Sequence, residues 1–167
     1  MQIIVNVSPK WGIGKDNGLL ARIHADMRRF RSFTTGNTIV FGRKTLATFP
    51  NGKPLPNRRN IVLTRGDLPC QDNLTVCHDL SELKTEISRL DPSSVFVCGG
   101  EQIYRLLLPY CSKALVTLTY TDSEADRFFP NLNQLPDWTL TSVGEVMTEE
   151  EISFRFLEYE NSAVRDL

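Results

Sequence analysis

The chain has 167 residues, 41% hydrophobic and 23% charged, and its 19 basic residues against 20 acidic ones leave a net charge of −1. That balance removes the electrostatic footprint of a dedicated nucleic-acid or anionic-membrane binder, and the length suits one domain, residues 1–167, able to bury about 70% of its unfolded surface without disulfide staples. No run reaches the roughly 20 apolar residues that span a bilayer, Met1 leads into Ile3-Ile4-Val5 with no basic segment or cleavage site, and Cys70, Cys77, Cys98 and Cys111 include no Cys-x-x-Cys, so reduced thiols in a cytoplasmic protein are expected.

In chain order, Gln2–Val7 reads as a buried strand. Ser8–Leu20, with Pro9, Gly12, Gly14, Asp16-Asn17 and Gly18, reads as a loop long enough to be a lid or binding loop. A helix follows over Ala25–Phe33, a strand over Thr38–Phe41 and a short helix over Arg43–Thr48. The Pro/Gly/Asn loop Asn51–Asn60 leads into a strand over Asn60–Thr64. Leu74–Cys77 is a further strand, and Asp79 is placed to cap a helix over Leu80–Leu90. Strand Ser94–Cys98 closes on Gly99-Gly100, and the helix Glu101–Leu108 stops at Pro109. Ala114–Tyr120 is the next strand. Trp138–Val146 and Ile152–Glu160, joined by Thr148-Glu149-Glu150, read as an antiparallel hairpin. Alternation followed by a hairpin predicts an α/β fold: a largely parallel sheet, helices on both faces and one antiparallel edge.

Three junctions end alike: Phe41 into Gly42-Arg43-Lys44-Thr45, Leu63 into Thr64-Arg65, and Cys98 into Gly99-Gly100. The carboxyl ends of parallel strands share one edge, where open α/β sheets bind ligands. Glycine at such a turn lets backbone approach a phosphate. Equally, glycines end strands and arginines solvate rims. Neither a Gly-x-Gly-x-x-Gly helix opening nor a P-loop is present. His24 and His78 lack ligand-spaced partners, so no metal is expected, and no nucleophile arrangement occurs.

Asp26 stands out. At about 100° per residue, Ile23, Met27, Phe30 and Phe33 share its side of the helix, while Arg28, Arg29, Arg31 and Ser32 fall on the other. With no cation on its face, a buried aspartate would seek a cationic or amidine-like ligand. The competing reading is a first-turn aspartate serving the helix dipole. Arg58-Arg59, after Pro54-Leu55-Pro56-Asn57, is either a solvated pair or holds one bidentate carboxylate grip. Thr117, inside a strand, is explained by β-propensity alone.

Six segments together resemble the dihydrofolate reductase family over essentially the whole chain: Trp11–Asn17, Asp26 with Ile23 and Phe30, Gly42-Arg43-Lys44-Thr45, Pro54–Ile61, Gly99-Gly100 with Ile103-Tyr104, and Asp126–Pro130. The resemblance implies eight mostly parallel strands, four helices, NADPH as cofactor and dihydrofolate as substrate. It also implies antifolates as inhibitors, a monomer, and no nucleic-acid or membrane partner. Asp26 and Thr117 would be catalytic, with Asp26 binding the 2-amino group and N3 of the pterin. Ile4, Val5, Met27, Phe30, Phe49 and Leu55 would line the substrate pocket with Cys98 and Tyr104, and Arg58 would hold the glutamate tail. For the cofactor, the resemblance implies Arg43, Lys44, Thr45, Thr64 and Arg65 at the adenosine end, beside Gly42 and Leu63. Cys98, Gly99, Gly100, Glu101, Gln102 and Ile103 would lie near the pyrophosphate. Asn6, Ile13, Asn17 and Leu19 would lie around the nicotinamide.

The chain departs from the bacterial pattern at Leu20-Ala21, where Pro-Trp is usual, at His24 for proline, at Cys98 for an aliphatic residue, and at Glu101-Gln102 for Gly-Arg. Two further readings share the fold. One is a riboflavin-pathway reductase of a ribosylaminopyrimidine, which has no carboxylate for Arg58. The other is a silent NADPH- and pterin-binding module, motivated by Ala21.

Overall fold

Short apolar strands whose two faces are both covered build the centre of this protein. The computed structural model describes residues 1–167. In chain order the elements are β1 (Gln2–Val7), β2 (Gly12–Lys15), β3 (Gly18–Leu19), α1 (His24–Thr34), β4 (Thr38–Gly42), α2 (Arg43–Thr48), β5 (Arg59–Leu63) and β6 (Leu74–Cys77). There follow α3 (Leu80–Ile87), β7 (Val95–Val97), α4 (Glu101–Leu107), β8 (Lys113–Tyr120), β9 (Arg127–Phe128), β10 (Trp138–Val143), β11 (Met147–Glu149) and β12 (Ile152–Asn161).

The main sheet runs β10-β12-β8-β1-β7-β4-β5-β6, with β11 added to β12. From β8 to β6 every pairing is parallel. β12 is antiparallel to all three of its partners, β8, β10 and β11. This is the mostly parallel sheet with an antiparallel C-terminal edge that the alternation of elements predicts.

Period-two alternation sends Ile4, Ile39, Phe41, Val62, Phe96 and Leu115 to one face, where Leu46 of α2 packs and Phe30 of α1 adjoins them. Ile3, Val5, Val40, Ile61 and Val97 point to the other, under Leu83 of α3 and Tyr104 and Leu107 of α4. Burying one such side chain contributes about 1.5–3 kcal/mol. A one-residue slip would turn a whole set out, so packing fixes the register.

Several boundaries differ from the sequence expectation. The Ser8–Leu20 segment is not all loop: β2 and β3 form a hairpin across Asp16-Asn17, both at positive φ (50° and 62°), the backbone that a tight two-residue turn requires. β2 also pairs with β9, which the sequence reading missed because two residues carry no periodicity. Trp11 anchors this small sheet, buried between Phe129 and Tyr159 at centroid distances of 6.1 and 6.0 Å. The C-terminal hairpin turns at Glu150-Glu151, so Thr148 and Glu149 belong to strand β11 and not to the connection. β10 ends at Val143 and pairs with the later half of β12. α3 stops at Ile87, three residues short of Leu90, where the segment tightens into a turn from Leu90 N–H to the Ile87 carbonyl.

Candidate active site

The carboxyl ends of β1, β4, β5 and β7 meet in a cleft of about 990 Å³. Gly42 and Gly99, from two of the three junctions, touch directly through the Gly42 N–H and the Gly99 carbonyl at 2.8 Å. The backbone at Gly99, at φ +118° with Tyr104 3.3 Å from a Cβ position, favours glycine, and a Cβ on Gly42 would press on the Ile103 side chain at 3.0 Å. The Gly99–Gly100 peptide is cis. Arg43, Lys44, Thr45, Leu63, Thr64 and Arg65 line one stretch of the cleft, and Cys98, Gly99, Gly100, Glu101, Gln102 and Ile103 another. Val5, Asn6, Ile13, Asn17, Leu19 and Tyr104 also line it. Tyr104 lends only its ring, because its hydroxyl donates to the Ile4 carbonyl at 2.8 Å. Burial pushes the pKa of that hydroxyl well above the ordinary tyrosine value.

Asp26, half-buried in the first turn of α1, turns toward the sheet. Thr117 Oγ1 of β8 donates to its Oδ1 at 2.6 Å, and Asn6 Nδ2 of β1 donates to its Oδ2 at 3.1 Å. The parallel register sets Asn6 opposite Thr117, so one strand pair supplies both donors. Both are neutral, which leaves the negative charge uncompensated by them.

Asp26 is the acidic residue of the first turn of α1, but the free N–H groups there are capped from another element. Glu149 of β11 reaches the start of α1 and accepts from His24 N–H at 2.5 Å and Ala25 N–H at 3.2 Å, with His24 Nδ1 2.9 Å away. Desolvation opposes the charge on Glu149, but these hydrogen bonds outweigh it and hold the carboxyl below its ordinary range. A group with a depressed folded pKa stabilises above its unfolded value and loses that contribution as pH falls through the folded one. Glu149→Ala is therefore expected to lower the Tm by about 2–4 °C at pH 7. Thermal melts at pH 7 and pH 3 check this: the gap to the native protein should close in acid, and a gap that persists there would show that the carboxylate is not the cap.

The face assignment of α1 needs correcting. Arg29 is not on the solvent side: three residues on is about −60° from Asp26. Its Nη1 donates to the Val116 carbonyl at 3.4 Å, and the guanidinium sits 4.3 Å from the Phe156 ring centroid. Burial lowers its pKa against the opposing pull of Asp26 and Glu158. A cation therefore does share the neighbourhood of Asp26. Conversely Met27 and Phe33, on the apolar arc, are 43% and 36% exposed. Phe30, Phe49, Leu55 and Cys98 are only partly buried against the core face that carries Ile4.

The two adjacent arginines separate. Arg59 is committed to Glu86, bonding both its carboxylate and, at 3.0 Å, its carbonyl. Arg58 bonds Thr34 Oγ1 at 3.2 Å and the Pro56 carbonyl at 2.9 Å, with its guanidinium 5.9 Å from the Phe30 ring. Burial first, then nearby Arg31, lowers its pKa, so an anionic ligand would relieve this head and not its neighbour.

A sequence model described as "Dihydrofolate reductase" matches residues 1–161. The chain belongs to the dihydrofolate reductase family. It is 36% identical over 152 residues to a dihydrofolate reductase of Staphylococcus haemolyticus, covering 90% of this chain and 88% of that one. It is 35% identical over 150 residues to that of Bacillus subtilis, covering 89% and 86%. Over 107 residues it is 42% identical to that of Mycobacterium leprae, covering 63% of each.

In this member of the dihydrofolate reductase family the cleft also includes Gly66, His78, Asp79 and Leu80, which the sequence reading left out. His78-Asp79 follows β6, whose parallel pairing with β5 brings it to the same edge. The strand-end rule would have found it had β6 been treated like its neighbours. Arg127 and Thr48 also line the cleft. Arg127 lies on β9, the strand that sequence reading missed. No helix is long and apolar enough to cross a membrane.

Proposed function

We propose that the protein reduces 7,8-dihydrofolate to 5,6,7,8-tetrahydrofolate with NADPH, acting as a monomer on small molecules. The observation that carries this is Asp26, a half-buried carboxylate with each oxygen held by one neutral donor. An ionised carboxylate offers about four acceptor sites, so two remain for a paired donor such as the N3–H and 2-amino group of a pterin. The nicotinamide cofactor that the family implies fits the donor set. Arg43, Lys44 and Arg65 put three cations beside Thr64 at one end of the cleft, and NADPH carries an extra phosphate that NADH lacks. At the other end, glycines at 99 and 100 leave backbone open to close approach.

Held there by Arg43, Lys44, Thr64 and Arg65, the cofactor would supply a hydride for C6 of the pterin. Asp26 orients the ring and, through its charge, favours the proton on N5. Thr117 holds Oδ1 of that carboxylate. Arg58 takes the α-carboxylate of the glutamate tail, beside an apolar wall of Phe30, Phe49 and Leu55. The β2–β3 hairpin, with Ile13, Asn17 and Leu19 in the cleft lining, excludes water from the nicotinamide end. The test is the near-ultraviolet absorbance of NADPH after addition of dihydrofolate, with NADH run beside it. Steady loss with NADPH and at least about tenfold less with NADH is expected; no loss with either, in protein that binds NADPH, overturns the reading.

A further inference from the structure

Asn6 is a polar side chain near the carboxyl end of β1, set among Ile3, Ile4, Val5 and Val7. Its amide makes two directed bonds. Thr119 Oγ1 donates to Asn6 Oδ1 at 2.7 Å, and Asn6 Nδ2 donates to Asp26 Oδ2 at 3.1 Å. Thr119 is 1% exposed. Only the NH2 end of the amide can face an ionised carboxylate, which is acceptor-only. The carbonyl end must then meet a donor, and the Thr119 hydroxyl is that donor. Thr117 and Thr119 stand two residues apart on the same face of β8, so they reach Asp26 by two routes: Thr117 directly on Oδ1, and Thr119 through Asn6 on Oδ2.

We propose that Asn6, oriented by Thr119, is a positioning residue that fixes Oδ2 of Asp26 and with it the plane of the carboxylate. Two donors on opposite oxygens stop rotation of the carboxylate plane, which a single bond from Thr117 would leave free. The other charged and titratable groups facing Asp26 are Arg29, on its own helix, and Tyr104 of α4; neither contacts Asn6 through a hydrogen bond. The role in turnover rests on the function proposed above, but the effect on Asp26 does not.

The experiment reads the carbon-13 side-chain carboxyl signal of Asp26 at pH 7 in the full-length protein without ligand, the signal being assigned by its absence in Asp26→Asn. Asn6→Ala should move and broaden this signal, because a carboxylate held by one donor turns about it. Thr119→Val should change it by less, and Asn6→Ala/Thr119→Val should match Asn6→Ala alone, because the hydroxyl acts only through the amide. Thr119→Ser, which keeps the donor, should leave the signal unchanged. An unmoved signal in Asn6→Ala overturns the inference, as does an added change from Thr119→Val in the double variant. Should Asn6→Ala fail to fold, Thr119→Val against Thr119→Ser decides the matter: equal signals reject it. Asn6→Ala should also lower kcat/KM for dihydrofolate by about threefold to tenfold. If the native protein does not consume NADPH, the proposed function fails while the carboxyl signal still judges Asn6.

Discussion

Asp26→Asn is expected to cut dihydrofolate turnover at pH 7 by about 100-fold or more while NADPH binding stays within about twofold. The substitution preserves shape and removes the charge. Its amide also presents a donor where Asn6 Nδ2 and Thr117 Oγ1 already donate at 3.1 and 2.6 Å, so either that network rearranges or a donor meets a donor. In either case the pterin loses the paired acceptor that holds N3–H and the 2-amino group. Without the negative charge, N5 becomes harder to protonate, and this defect depends on pH. Turnover of the variant should recover partly in acid, where substrate arrives already protonated. Stopped-flow turnover between pH 5 and pH 8 measures both effects. Native-like rates at pH 7 would make Asp26 a structural residue, although the helix start that it would otherwise serve is already capped by Glu149.

Arg58→Ala should weaken dihydrofolate by about 2 kcal/mol, roughly 30-fold in Kd, and leave small antifolates without a glutamate tail within about twofold. The two neighbouring arginines make this a sharp comparison. Arg59 is occupied by Glu86, and Arg59→Ala should cost stability while sparing both ligand classes. Arg58 meets only neutral oxygens from Thr34 and Pro56, and its burial beside Arg31 disfavours its charge. A carboxylate arriving there meets an unneutralised guanidinium able to bond bidentately. Fluorescence titration with dihydrofolate and a tail-less diaminopyrimidine separates the cases. Equal losses for both would mean that Arg58 serves only to tie the loop to Thr34 at the end of α1.

The motifs were legible in the sequence because they are local. Gly42 into Arg43, Leu63 into Thr64 and Cys98 into Gly99 can each be read as a strand meeting a turn, and one cleft does collect them. Asp26 was singled out by helical period alone. The same period misplaced Arg29, whose position three residues on is close to the aspartate's face and whose long side chain reaches inward to Val116 and Phe156. The partners of Asp26 were not legible as a set. By its own pattern Thr117 looked like an ordinary strand residue, and Asn6 was expected only beside the nicotinamide, until the β1–β8 register set them side by side.

By itself, the sequence determined the alternating strands and helices, the apolar faces and the glycine junctions, since these follow from periods of two and 3.6 residues and from backbone sterics acting over a few neighbours. It also carried the family resemblance across the chain. Only the tertiary structure decided which carboxylate caps α1, which arginine keeps an uncommitted charge, and that β2, β3 and β9 form a sheet of their own. Each of those choices depends on groups tens to more than a hundred residues apart, as with Glu149 and His24 or Thr117 and Asp26. Hydrogen bonds and desolvation act across a few ångströms of space, and the spacing of residues along the chain does not encode that distance.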